Sequence, residues 1–403
     1  MYLSTIDRPK SGGWKGVSAN VLALGAVSLI TDVSSEMVTA VLPLYLVVGL
    51  QLSPAAYGVL DGAYTGATTL LRLVGGYLAD RTTKRKAVAC FGYGLSAVAK
   101  LALPVAGPST ALLGAVITAD RAGKGLRTAP RDALITLSAP AGDLGRAFGV
   151  HRAMDGIGAF TGPLVTLAVL AAAAGSFDAV FVTSFCVATL GVVVLLVFVR
   201  DHRATTPTTP VRPAAVVGLL RDKGVRRLVL AAAVLGLATV GDGFVYLLIQ
   251  RREGLAIGWF PLLAVGTSLV YLLLAAPLGA LADRVGQLPV VLGGYGALAA
   301  AYLLIHGPLG GWPLIVAVLV LYGVFYAATD GVLMALAGPL LPERLRTTGI
   351  ALIQSGQALA YLGSSVLFGL AWQFWGPETA TRLAALGVAA ALATTAALLG
   401  RRR

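Results

Sequence analysis

The sequence predicts an all-α integral membrane protein of twelve transmembrane helices in two pseudo-symmetric six-helix bundles. Three observations support this fold class. First, only 12% of the 403 residues are charged and 57% are hydrophobic, whereas a soluble domain has about 25% charged residues. Second, apolar stretches long enough to cross a bilayer recur along the whole chain. Third, short segments of the first half return in the second half.

Twelve stretches meet the requirement of about 20 mostly apolar residues for a spanning helix. They are residues 18–49, 55–79, 86–106, 110–137, 146–173, 178–199, 227–250, 257–282, 288–306, 313–337, 347–372 and 379–400. A long polar connection separates the first six from the last six. We therefore predict an amino-terminal bundle at 1–199, a cytoplasmic linker at 200–227 and a carboxy-terminal bundle at 228–403.

Basic residues are unequally divided between the two predicted sides of the membrane. RTTKRK (81–86), the linker and the terminal RRR share a side with the basic amino terminus, whereas the other side receives chiefly Arg251, Arg252 and Arg382. Because cytoplasmic loops carry the excess of Lys and Arg, both termini and the linker are expected in the cytoplasm. The same asymmetry explains the net charge of +13 without nucleic acid as a partner.

The two halves repeat each other at a nearly constant offset. GYLADR (76–81) returns as GALADR (279–284), RAFG (146–149) as RTTG (346–349), and ALITLSAP (133–140) as VLMALAGP (332–339). These correspondences indicate a duplicated six-helix unit. In transporters built this way, binding sites lie near the bilayer midplane where the repeats meet.

The segment GYLADRTTKRK resembles the loop signature of the major facilitator superfamily, G-x-L-a-D-R-x-G-R-R/K, with Thr83 at the usual glycine. The resemblance implies a conformational latch, in which the glycine allows close helix packing and the aspartate pairs with basic groups and a helix end. Arg131, near the inner end of the fourth span, is an expected partner of Asp80. The latch residues that the resemblance implies are Gly76, Asp80, Arg81, Arg131, Gly279, Asp283 and Arg284.

Two further patterns are similar to motifs of proton antiporters in this family. Arg121 and Gly125 fit R-x-x-x-G in the fourth span. Part of G-x8-G-x3-G-P is present in the fifth span, at Gly149, Gly158, Gly162 and Pro163, but Thr166 and Leu167 replace its closing Gly-Gly. Together with TDVSSEM (31–37) and HRAMDGIG (151–158), these patterns resemble a bacterial permease subgroup. The resemblance implies a monomer in the bacterial inner membrane, without cofactors.

The fourth span contains the stretch ADRAGKGLRTAPRDALI (119–135), which has six formal charges. At 100° per residue, four of them fall within about 60° of one another, and the other two form a second line about 100° round. A charge near the bilayer centre costs at least about 2.5–3.5 kcal/mol, so all six are expected to face protein or water. Structural pairing, such as Asp120 with Lys124, and a coupling role for Arg121 both stay open.

Asp32 and Glu36 lie one helical turn apart near the middle of the first span. Repulsion between neighbouring carboxylates favours proton binding by one of them, as a proton carrier requires. Two alternatives stay open: the pair binds a cationic substrate, or it is a structural polar pair.

Other polar residues in the spans complete the candidate substrate cavity and coupling site. His151 is a single histidine beside the positive charge of Arg152, which disfavours a metal ion there, and no metal ligand set is predicted. Asp61 is expected near the outer surface in contact with water. The polar face of the eleventh span could serve interhelical hydrogen bonding alone. The remaining candidates are Arg127, His151, Arg152, Asp155, Asp242, Asp330, Gln354, Gln357 and Tyr361.

No nucleotide, flavin or nicotinamide fingerprint occurs in the sequence, so an ion gradient is the expected driving force. We predict a secondary active transporter that exports a small molecule by alternating access, with protons and the lipid bilayer as its other partners. The alternative is proton-coupled uptake of an anionic metabolite bound by Arg121, Arg127 and Arg152. A membrane-embedded enzyme that uses Asp32 and Glu36, or His151 and Asp155, as acid and base is a remote third, because the twofold repeat disfavours it.

Overall fold

A computed structural model describes residues 17–81, 84–140, 143–201, 218–330, 332–337, 341 and 346–400; for residues 70, 72–81 and 346–348 it describes only the backbone. The regular structure in these residues is helical. The first half contains α1 (Ala19–Thr39), α2 (Pro54–Arg81), α3 (Arg85–Val105), α4 (Thr110–Leu137), α5 (Leu144–Ala172) and α6 (Phe177–Phe198). A short helix (Leu42–Leu44) and a π-helical turn (Tyr45–Gly49) follow α1.

Serine side chains begin three of these helices. Ser18, Ser109 and Ser176 precede α1, α4 and α6, and each side-chain oxygen accepts a hydrogen bond from the backbone N–H three residues later. Serine is favoured there because it satisfies one of the N–H groups that have no partner within the helix. These starts agree with the predicted spans to within two residues.

The second half contains α7 (Lys223–Ala238), α8 (Asp242–Glu253), α9 (Pro261–Val285), α10 (Gln287–Leu304), α11 (Gly311–Thr329), α12 (Val332–Ala337) and α13 (Arg346–Leu399). The seventh predicted span is broken between α7 and α8. The last two predicted spans are joined in α13 at Gly376, where φ is +82°. Only glycine adopts this backbone conformation without strain, and Pro377 starts the final helical segment.

In the residues that the structure describes, nine helical stretches are long and apolar enough to cross a membrane, and one of them, Gly349–Leu399, contains the Gly376 kink. The two other helices of membrane length are α2, whose side chains are described only in part, and α4, which carries the six charges. The predicted fold class, an all-helical protein with many membrane-spanning helices, is confirmed.

The chain divides into two compact units. The first comprises Met1–Leu42 with Ala67–Pro210, and the second comprises Pro43–Gly66 with Val211–Arg403. The first turns of α2 therefore belong with the carboxy-terminal helices, although they precede the linker in sequence. The boundaries predicted at 1–199, 200–227 and 228–403 stay a prediction.

In the first unit, α1 packs against α5 and α6, and α3 packs against α4 and α6. Glycines make the α1–α5 contact close: a Cβ at Gly162 would lie 2.7 Å from the backbone oxygen of Val33, and one at Gly158 would collide with the carbonyl of Leu29. At Gly149, by contrast, a Cβ would meet nothing within 4 Å. Two of the three predicted packing glycines thus lie at this helix contact, and Gly149 does not.

Candidate functional site

The charges of α4 are held inside the first unit by its contact with α3. A Cβ at Gly92 would lie 2.7 Å from the backbone oxygen of Gly123, so the two helix backbones almost touch. Arg121 and Arg127 are each only 3% exposed. Charges buried to this degree need partners of opposite charge, because desolvation otherwise costs several kcal/mol per ion.

The first charged cluster surrounds Asp120. The Nε of Arg121 donates to Oδ2 of Asp120 at 2.8 Å, and Nη2 of Arg121 donates to the same oxygen. The other oxygen, Oδ1, accepts from the hydroxyl of Ser96 at 2.5 Å and lies 3.5 Å from Nζ of Lys100. The pairing of Asp120 with Lys124 that the sequence left open is not formed.

The second charged cluster contains Asp32 and Asp155. Nη2 of Arg127 lies 3.8 Å from Oδ1 of Asp32. Asp155 lies 4.0 Å from Nη1 of Arg131 and 3.9 Å from Nη1 of Arg152. The carboxyl groups of Asp32 and Asp155 are close enough to interact electrostatically. The cluster thus joins α1, α4 and α5 through five side chains.

Ser28 connects this cluster to the candidate histidine. Its hydroxyl is 2.8 Å from Nε2 of His151 and accepts from Nη1 of Arg131 at 3.4 Å. Arg131 also donates to Oδ1 of Asp132 from Nε and Nη2. Within the described ranges, no group of three or more His, Cys, Asp or Glu side chains could hold a metal ion.

Glu36 is affected by the charge of Asp32, one turn away on the same helix. The Cβ of Glu36 lies at the packing surface of Gly162, whereas Asp32 also lies near Asp155. Lys124 is the cation with the largest electrostatic effect on both Asp32 and Glu36. Asp32 thus has carboxyl neighbours both on its own helix and on α5.

In the second unit, Asp242 lies at the break between α7 and α8. Its Oδ1 accepts from the backbone N–H of Gly243 at 2.8 Å. Two buried tyrosines satisfy the backbone at the break: the N–H of Val240 donates to the hydroxyl of Tyr302 at 2.9 Å, and the hydroxyl of Tyr322 donates to the carbonyl of Val240 at 2.8 Å. These bonds allow an interrupted helix at membrane depth.

Asp61, which was expected to be in contact with water, is partly exposed, and its carboxylate has hydroxyl partners on α13. Its Oδ2 accepts from the hydroxyls of Ser365 at 2.6 Å and Tyr361 at 3.3 Å. Glycines bring the first turns of α2 against α13, since a Cβ at Gly62 would lie 3.0 Å from the backbone oxygen of Leu362. In the part of the chain that the structure describes, no basic side chain lies within ion-pair distance of Asp61.

The other candidates of the second unit are placed separately. The hydroxyl of Tyr271 donates to Oδ2 of Asp330 at 2.9 Å. Gln354 and Gln357 are partly buried, and Tyr361 and Ser365 on the same helix donate to Asp61 of α2. The polar face of α13 thus includes interhelical hydrogen bonds, the alternative left open above.

The latch residues are only partly described. For Gly76, Asp80 and Arg81 the structure describes only the backbone, so the pairing of Asp80 with Arg131 stays a prediction. In the repeated motif, Asp283 and Arg284 are exposed at the end of α9. A Cβ at Gly279 would meet nothing within 4 Å, so the close helix approach that the motif implies is not present at this glycine.

Sequence reasoning missed Lys100, which is 2% exposed. Its signal was a single lysine in the apolar run SAVAKLALPV of the third span. A charge in that position needs a partner, and its partner on α4 was already among the six charges noted above.

Charged groups in the interior of a multi-pass helical protein are typical of membrane proteins that move ions or solutes, such as transporters. The family model described as Major Facilitator Superfamily matches residues 24–266 and 252–403. An uncharacterized MFS-type transporter of Methanocaldococcus jannaschii is 30% identical over 369 residues, which cover 89% of each chain. The chain belongs to the major facilitator superfamily and is a membrane transporter of this type.

Solved structures share the fold. A mutant of the nucleoside transporter NupG superposes with a TM-score of 0.82 at 14% identity, covering 94% of this chain and 99% of that one. A mutant of a peptide transporter of the POT type, in complex with sulfate, superposes with a TM-score of 0.78 at 17% identity, covering 96% and 95%. At these identities the likeness concerns the fold alone.

Proposed function

We propose that the protein is a proton-coupled secondary active transporter that exports a small organic compound by alternating access. The observation that supports proton coupling is the ion-pair cluster that brings Asp32 and Asp155 together with Arg127, Arg131 and Arg152, in which the two carboxyl groups are close enough to interact. Two carboxyl groups can form a hydrogen bond only if one of them carries a proton, because an ionised carboxylate has no donor. The pair is therefore suited to bind and release one proton.

Each carboxyl of the pair also has a basic partner. Arg127 faces Asp32, and Arg131 and Arg152 face Asp155. Loss of the shared proton adds a negative charge that these arginines stabilise, and uptake of the proton weakens their hold. Proton binding thus changes the ion pairs between α1, α4 and α5, and such a change can bias the helices toward another arrangement.

The direction of transport and the location rest on the sequence. The partial antiporter signature favours export, and two of its glycines, Gly158 and Gly162, lie at the α1–α5 contact beside the proton pair. The basic residues favour the bacterial inner membrane with both termini and the linker in the cytoplasm. We propose that the transporter acts as a monomer and that Asp80 and its loop form the conformational latch.

The second candidate is proton-coupled uptake of an anionic metabolite. It is favoured by the buried guanidinium groups of Arg121 and Arg127, which can bind carboxylate or phosphate by paired N–H groups. Both candidates use the same proton pair, so the test of coupling applies to either direction.

The test uses inverted membrane vesicles containing the protein, energised by respiration and monitored with a pH-sensitive dye. A panel of organic cations, carboxylates and neutral drugs is added, and a compound that is exchanged for protons dissipates the gradient. Asp32→Asn and Asp155→Asn should abolish this response. Asp178→Asn, a matched change of an exposed carboxylate at the start of α6, should retain it. A response of normal size in both substituted proteins of the pair would refute the proposal.

A further inference from the structure

Two cations face one carboxylate in the interior of the first unit. Arg121 binds Oδ2 of Asp120 with two N–H groups, and Lys100 lies 3.5 Å from Oδ1. Lys100 also donates to the backbone oxygen of Ser96 at 3.1 Å and to its hydroxyl at 3.2 Å. Asp120 therefore has a second cation within reach besides Arg121.

The packing of α3 on α4 fixes this arrangement. A Cβ at Gly123 would lie 2.9 Å from the backbone nitrogen of Ser96, so α3 passes directly over the residues that precede and follow Asp120. Ser96 and Lys100 are one turn apart on α3 and reach the same carboxylate oxygen. Lys100 is consequently held near Asp120 by α3, independently of the orientation of Arg121.

The extra cation determines what happens if Arg121 turns away. In most buried ion pairs, loss of one partner leaves an uncompensated charge and costs about 3–5 kcal/mol. Here Lys100 can close on Asp120 and restore a one-to-one pair. Arg121 is then no longer bound by Asp120, and its guanidinium is suited to bidentate binding of a planar anionic group.

We propose that Lys100 and Arg121 are exchangeable partners of Asp120, and that the exchange frees Arg121 to bind a carboxylate or phosphate group of the transported compound. This inference deepens the proposed transport function by assigning the substrate an anionic group. Lys124 and Arg127, one and two turns further along α4, carry the same sign of charge.

A double-mutant cycle on the purified full-length protein tests the exchange without any substrate. Lys100→Met and Arg121→Gln should each lower Tm slightly, because the other cation still balances Asp120. The Tm loss of the double variant should be roughly twice the sum of the two single losses. Adding Asp120→Asn to the double variant should restore most of the lost Tm. Lys100→Met combined with Arg382→Gln, which removes an exposed cation, should be additive. Additive losses for Lys100 and Arg121 would overturn the exchange.

Ligand-dependent thermal shifts test the substrate class, with inorganic phosphate, citrate and benzoate as anionic probes and benzamide as the neutral match of benzoate. At least one anion should raise Tm while benzamide does not. Arg121→Gln should abolish this shift, Lys100→Met should weaken binding roughly tenfold, and Asp120→Asn should strengthen it. A protein that responds to none of the anions, or an Arg121→Gln variant that responds normally, would contradict the assignment. Asp32→Asn should still bind the anion, so a failure of this inference is distinct from a failure of proton coupling.

Discussion

Nη2 of Arg127 lies 3.8 Å from Oδ1 of Asp32, and the same guanidinium stacks on Tyr93, with Cζ 4.3 Å from the ring centroid. The aromatic ring holds the arginine in place from α3 while the carboxylate approaches it from α1. A cation over an aromatic face is stabilised by about 2 kcal/mol when desolvated. Arg127 therefore keeps its position when Asp32 gains or loses a proton.

Replacement of Arg127 should destabilise the protein in a pH-dependent way. Arg127→Gln leaves Asp32 without this buried cation, which costs about 3–5 kcal/mol when the carboxylate is ionised. Proton uptake by Asp32 relieves part of the cost, so the loss of Tm should be larger at pH 8 than at pH 5.5. Thermal unfolding of the purified variant at both pH values measures it. In the double variant Asp32→Asn/Arg127→Gln the pH dependence should disappear, and its persistence would exclude Asp32 as the cause.

The glycines of α5 provide a second test, of packing. Gly162→Ala places a methyl group 2.7 Å from the backbone oxygen of Val33 and the Cβ of Glu36, so α1 and α5 must separate. Overpacking of this kind costs about 1–3 kcal/mol. Gly149→Ala, with open space around the new Cβ, should be neutral or stabilising by up to about 1 kcal/mol. The Tm of each variant is compared with that of the unsubstituted protein. Equal losses in the two variants would show that the α1–α5 contact is looser than described.

These two sites illustrate what the sequence could and could not predict. Most of the spans and the charge stripe of α4 follow from local periodicity and composition, and they were predicted; the serines that begin α1, α4 and α6 and the break in the seventh span were not. The partners of the charges were not predicted either: Asp32 meets Asp155, and Asp120 meets Lys100. Such contacts join different helices, so a helical wheel gives the face that a charge occupies but not its partner on the neighbouring helix.

The partners of Asp61 were missed for the same reason. A carboxylate close to a helix start is expected to be solvent-exposed, but the glycines of α2 bring Asp61 within hydrogen-bonding distance of hydroxyl groups on α13. The contact could have been suspected from the repeated small residues of α2, Gly58, Gly62 and Gly66, which are four residues apart and lie on one face. Their partner helix, however, is about 300 residues away in the chain.

Asp61 should hold the first turns of α2 on α13. In a protein without Cys90 and Cys186, Leu362→Cys places a thiol beneath Gly62 and Gly66, where it should react slowly with a water-soluble maleimide in nanodiscs. Asp61→Asn and Ser365→Ala each remove hydrogen bonds across the contact and should accelerate the reaction several-fold. Ser364→Ala changes a neighbouring buried serine that has no bond to Asp61, and it should have no effect. Equal rates in all four proteins would show that packing alone holds the contact.

Topology can be tested with single cysteines in the same background. Thr206 lies in the predicted cytoplasmic linker, outside the described residues, and Gly311 starts α11. A membrane-impermeant maleimide added to intact cells should label Gly311→Cys only, and added to inverted vesicles it should label Thr206→Cys only. Labelling of both positions from one side would refute the twelve-span map.

The central claim is that the Asp32–Asp155 pair carries the coupled proton. Its most direct test is to reconstitute the protein in proteoliposomes with a compound found in the vesicle screen, and to measure gradient-driven transport and exchange at equal pH in parallel. Asp32→Asn and Asp155→Asn should abolish transport driven by the pH gradient while exchange at equal pH continues, because exchange requires the substrate site but no net proton movement. Gradient-driven transport at the normal rate in both variants, with an unchanged ratio of protons to substrate, would contradict the account.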